Sequence, residues 1–118
     1  MMNHSIFIAA LLLAAPVFAA EQPDWKTYHD GNPVMQYDAA SITPNQFVQR
    51  YVFTEGLILT TVSAYNCANK TTWPIHIVGT RAVDGVQVSE TKQPGSVYLF
   101  DTHPDTASGK LYRILCGR

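Results

Sequence analysis

The chain has 118 residues, 47% of them hydrophobic, with eight Lys or Arg against nine Asp or Glu, a formal charge of −1 and no run of either sign. Such a balance excludes binding to nucleic acid or to an anionic membrane through a basic stripe, and the length suits one domain rather than two. Residues 1–19 read as a secretory signal peptide: a polar start at Asn3-His4, an apolar run from Ile6 to Ala15 too short to span a bilayer, and small residues at Ala19 and Ala20. The mature part, residues 20–118, is expected to be one exported domain of the periplasm or the outer surface, or fully secreted. It is expected to have no transmembrane segment, and no lipid anchor because no cysteine stands at the cleavage point.

Trp25-Lys26-Thr27-Tyr28 alternates as a short strand, and Asp30-Gly31-Asn32-Pro33 is turn chemistry. Val34 to Tyr37 reads as a second strand, closed by a tight turn that Asp38 and Ser41 stabilise with side-chain oxygens. From Gln46 to Thr54, Phe47, Gln49, Tyr51 and Phe53 share one face, while Val48, Arg50 and Val52 share the other. Glu55-Gly56 leads into Leu57 to Cys67, an uncharged stretch rich in branched and aromatic residues that reads as a buried central strand. Thr71 to Arg81 is another strand, with Pro74 marking a bulge or an edge. Asp84-Gly85 predicts a two-residue hairpin between Val83 and Val86, with the next strand running from Val86 toward Lys92. Val97 to Phe100 is either a strand or the approach to a helix. A terminal helix is expected from about Pro104 to Cys116, capped near Thr102 and weakened by Gly109.

Export places Cys67 and Cys116 in an oxidising compartment, where an isolated pair is most simply a disulfide; a redox or metal pair needs closer spacing, such as C-x-x-C. The expected architecture is α+β: an antiparallel meander of five to six strands with a C-terminal helix packed on one face and one disulfide.

Asp101-Thr102-His103-Pro104-Asp105 brings two carboxylates and an imidazole together, but helix capping explains them without a metal, and a closed zinc site needs further ligands. There is no G-x-S-x-G and no cysteine left over for a nucleophile. Neither a catalytic residue, nor a metal site, nor a cofactor is expected. Trp73, beside Pro74, is a candidate contact residue for a partner. Lys70, Arg81 and Lys92, with Arg50, make a positive face only if strand pairing gathers them.

Tyr37-Asp38-Ala39-Ala40-Ser41-Ile42, then Tyr65-Asn66-Cys67-Ala68-Asn69, then His103-Pro104-Asp105-Thr106 through Leu111-Tyr112 to Leu115-Cys116 resemble, in order and spacing, the surface-adhesin protein E family of Gram-negative bacteria. The resemblance spans roughly Trp25 to Cys116. It implies an antiparallel sheet with a C-terminal helix, a Cys67–Cys116 bridge, no enzymatic activity, binding to host matrix or plasma proteins, and a possible homodimer. The chain departs from the pattern in lacking the lipidated cysteine and in carrying only Lys92 where the adhesin is strongly basic.

The expectation is therefore an exported, non-catalytic protein that offers a sheet face or edge to a protein partner. The alternatives are a periplasmic inhibitor or immunity protein, acting through a loop around Lys92 to Ser96, and a small hydrolase whose acid and base meet only in the fold. Replacing Cys67 and Cys116 together with Ala should lower stability by roughly 4 kcal/mol, the loop-entropy value for a ring of about fifty residues, while keeping the sheet. Denaturant unfolding checks this, and an unchanged midpoint would show that the bridge is absent or unimportant.

Overall fold

A computed structural model describes residues 22–92 and 95–117; the expected leader, residues 1–19, lies outside them. Seven strands form one sheet: β1 (Trp25–His29), β2 (Val34–Asp38), β3 (Gln46–Val52), β4 (Leu57–Asn66), β5 (Thr71–Arg81), β6 (Gln87–Lys92) and β7 (Tyr98–Leu99). The first six lie side by side in chain order and each neighbouring pair is antiparallel. β7 pairs with β5 at Thr71–Thr72, while β6 pairs with its other half at His76–Thr80. The expected meander is thus six strands plus this short seventh.

Local chemistry sets the turns. The Asp38 carboxylate accepts from Ala40 N at 3.0 Å and from Asp24 N at 2.8 Å, which closes a 3-10 turn over Ala39–Ser41 and ties it to the start of β1. The Ser41 hydroxyl donates to Asp38 O at 2.7 Å and accepts from Val48 N at 2.8 Å, docking the turn on β3. Asn32–Pro33 is a cis peptide in the β1–β2 turn. Gly56 has a φ of +95° in the β3–β4 turn, a conformation that favours glycine there.

The period-2 pattern of β3 and β4 places Phe47 opposite Ser63 and Gln49 opposite Thr61 on one face. The α-helix among the described residues, α1 (Ala107–Cys116), covers that face with Leu111 and Leu115. Together with Tyr28, Phe47, Tyr65 and Phe100 they form the buried core, and Phe47 and Leu115 are each only 1% exposed. Phe47 meets Tyr65 edge-on, with ring centroids 5.7 Å apart. Cys67, just past β4, is bonded to Cys116 in the last turn of α1, with their Cα atoms 5.6 Å apart. On the opposite face of the sheet, the Arg50 guanidinium stacks 4.1 Å above the Trp25 ring.

Two expected boundaries shift. The helix begins at Ala107 rather than Pro104, because Thr106, not Thr102, is the cap: its hydroxyl accepts from Gly109 N at 2.9 Å. Residues 101–105 form a turn of their own, in which His103 N donates to Asp101 Oδ1 at 2.9 Å and Asp105 N to His103 Nδ1 at 3.2 Å. The β5–β6 connection is a loop over residues 82–86, wider than a two-residue turn, because Gly85 N donates back to Arg81 O and Arg81 N to Val86 O. Pro74 does mark a bulge, at the point where β4 and β5 change register beside Ser63.

Gly109 has a reason that helix propensity does not reveal. A Cβ built there would lie 1.8 Å from the His103 carbonyl oxygen, so the missing side chain lets the turn close over the first helical turn. In an ordinary helix interior, Gly→Ala gains about 1 kcal/mol. Gly109→Ala should instead destabilise the domain by about 1–3 kcal/mol through overpacking against backbone. Chemical denaturation of the variant checks the sign, and a stabilised protein would contradict the close approach.

Candidate functional site

Between the inner sheet face, α1 and the segment that contains β7 lies a half-open cavity of about 420 Å³. Its floor comes from β3 and β4, where Gln49, Thr61 and Ser63 are 7%, 6% and 2% exposed and stand side by side through strand pairing. The walls are mainly apolar: Met35 and Tyr51 on one side, Trp73 and Ile77 from β5 on another, and Phe100 and Leu111 beneath the helix. Tyr98 and Leu99 form the rim. Among the described residues that line it there is no Asp, Glu, His, Lys, Arg or Cys.

The polar floor is partly paired. Tyr28 donates its phenol proton to Gln49 Oε1 at 2.6 Å, an inside bond between β1 and β3. Burial, followed by the charge that Tyr51 would carry, pushes the Tyr28 phenol far above its ordinary value, and burial raises Tyr51 as well. Both phenols are therefore neutral at physiological pH.

The residues singled out from the sequence are dispersed. Trp73 lines the cavity in the stretch of β5 that lies between its pairings with β7 and β6. Lys70 sits in the β4–β5 turn with a φ of +59°, and Arg81 ends β5 at the opposite extremity, so the two do not share a patch. Arg81 instead forms a fork with Asp84, Nε to Oδ1 at 3.2 Å and Nη2 to Oδ2 at 2.9 Å, which holds the Asp84 carboxyl below its usual range with help from Val86 N. Lys92 ends β6 beside Glu90, at 3.9 Å. Glu90 also contacts His76 Nε2 at 2.7 Å, and this bond, then the Lys92 charge, lowers the Glu90 carboxyl. Burial lowers the Arg50 guanidinium, whose Nε donates to Gln36 Oε1 at 2.7 Å.

Among the described residues no group of three or more His, Cys, Asp or Glu is placed to hold a metal, and no helix is long and apolar enough to cross a membrane. The cavity itself carries no single-strand signature. Its residues come from distant elements, and Thr61 and Ser63 read in the sequence only as strand positions. Comparison with protein-family models, curated proteins and solved structures finds no match for this chain.

The two tyrosines set an alkaline limit. Their folded pKa values lie above the ordinary value of 10.0, so the unfolded chain releases these protons first. Stability is full below about pH 10 and falls as pH rises above it. In an ultraviolet titration, the Tyr28 and Tyr51 tyrosinate signals should arise only together with loss of tertiary structure, and Tyr28→Phe should remove one such late step. Ordinary titration of Tyr28 in an intact fold would contradict the buried site.

Proposed function

We propose that this chain is an exported, non-catalytic binding protein of the bacterial envelope, of the kind the surface-adhesin protein E resemblance implies. It takes a protein partner at the rim formed by β5, β6 and β7. The observation that carries this reading is the exposure of Val97, Tyr98 and Leu99, at 63%, 57% and 76%, beside an outer strand, β6, whose residues are all exposed. β6 ends the strand order, so its outer edge offers main-chain donors and acceptors to an extended segment, while Tyr98 and Leu99 offer apolar contact. Tyrosine with aliphatic neighbours is a composition typical of the centre of an interface. The described lining of the cavity, whose only titratable groups are tyrosines, favours binding over the hydrolase alternative, which needs a paired acid and base. The partner is a host matrix or plasma protein if the adhesin resemblance holds, or a bacterial envelope protein.

A second reading, an inhibitor or immunity protein, draws on the loop at residues 82–86. The Arg81–Asp84 fork braces it, and Val83 is 88% exposed at its tip. That is a stiff loop with an apolar point, displaced from the Lys92 to Ser96 segment expected from the sequence, in which Gln93 and Pro94 lie outside the described residues.

Cross-linking capture with the protein from Ala20 onward, against periplasmic extract and against purified host matrix and plasma proteins, tests both. Saturable capture that falls at least tenfold in a Tyr98→Asp, Leu99→Asp variant is the expected result. Capture that survives this variant but is lost with Val83→Asp would favour the inhibitor reading, and absence of any saturable partner would contradict both.

A further inference from the structure

We propose that the cavity under α1 is a binding site for a small uncharged amphiphile, an aromatic or aliphatic body carrying a hydroxyl or amide head. This goes beyond docking at the rim and is independent of it, because it rests on the floor of the cavity.

Gln49, Thr61 and Ser63 are each more than nine-tenths buried and lie together on the inner face of β3 and β4. The Gln49 carbonyl is occupied by the Tyr28 phenol, which leaves its amide group to donate. Among the described residues no hydrogen-bond partner engages the hydroxyls of Thr61 and Ser63. Among the described residues no side-chain nitrogen or oxygen is both sealed and unpartnered, so these groups open onto the cavity rather than into packed protein. Buried polar groups are almost always hydrogen-bonded, so three of them clustered on the floor of an apolar chamber define a place for an outside donor and acceptor.

Around that polar spot, Met35, Tyr51, Trp73, Ile77, Phe100 and Leu111 give apolar and aromatic wall. A charged head would enter without a counter-charge, since no ionisable group other than neutral tyrosine lines the site, and its desolvation would be uncompensated. A pure hydrocarbon would leave the floor unsatisfied. The volume of about 420 Å³ falls in the range of small-molecule sites and holds on the order of fourteen non-hydrogen atoms at the ~30 Å³ share of a water. Chemistry and size therefore agree on a neutral ligand with one polar end.

Three matched probes test this: 4-hexylphenol, hexylbenzene and 4-hexylbenzoate, each titrated into the mature protein and followed by the Trp73 indole resonance. Trp25, under Arg50 on the other sheet face, is the internal control. The phenol should bind saturably, about tenfold tighter than the hydrocarbon and than the carboxylate, with Trp73 shifting and Trp25 still. In Thr61→Val, Ser63→Ala the phenol's advantage over hexylbenzene should shrink to about twofold, while retained hexylbenzene binding reports an intact cavity. Should that pair of changes prevent folding, Thr61→Val alone should reduce the advantage. Absence of saturable binding, equal affinity for phenol and hydrocarbon in the unaltered protein, or an advantage that survives both variants would overturn the proposal.

Discussion

The structure depends on one contact, the seating of α1 on the inner face of the sheet. Leu115 is buried in the cluster with Phe47, Tyr65 and Tyr28, and Cys116, the next residue, is covalently tied to Cys67 just past the end of β4. A ten-residue helix is marginal alone, so its order must come from this apolar seat and from the staple. The staple limits how far the helix can leave, while Leu111 and Leu115 decide where it rests. Everything on the inner face follows from that seat, including the space left between the helix and β5.

That space exists because the helix is short. It covers the sheet near β1 and the first half of β3, whereas the cavity over the rest of the inner face is bordered by β7, which pairs at the edge of β5, and by the residues that lead from it to the helix. A longer helix would have filled it with side chains. The polar residues on the floor belong to the same compromise: Thr61 and Ser63 satisfy β-strand preference and fit beneath a ring-lined chamber, where larger apolar residues would close it. The outer strand β6 and the rim at Tyr98 and Leu99 lie along the same edge of β5, on its two halves, and both are exposed.

Much of the fold was legible in the sequence because strand periodicity is strong where one face is buried. Phe47, Gln49 and Tyr51 against Val48, Arg50 and Val52 read directly as two faces of β3, and Asp38 with Ser41 read as turn chemistry. The start of the helix was less legible, because Thr102 and Thr106 are both suitable caps. What decides between them is the approach of the His103 carbonyl to Gly109, a contact between segments that propensity cannot register. The β5–β6 loop departs from its sequence signal for a related reason: Asp84-Gly85 suits a tight turn, but the Arg81–Asp84 fork and the Arg81 carbonyl draw the chain into a wider one. The candidate site was the least legible part. Trp73 stands out in the sequence as a wide ring beside Pro74, yet its place in a cavity wall depends on β3, β4 and α1 meeting it in space, and the charges of Lys70, Arg81 and Lys92 are kept apart by the length of β5.

The most direct measurement of the central claim is amide hydrogen exchange on the intact protein before and after mild reduction of the Cys67–Cys116 bond. If the staple and the Leu115 seat together hold the helix, reduction should cut protection of the α1 amides by a large factor while the β3–β4 ladder keeps most of its own. Unchanged protection in α1 after reduction would show that packing alone holds the helix, and equal loss throughout the sheet would show that helix and sheet form a single unit with no separable clamp.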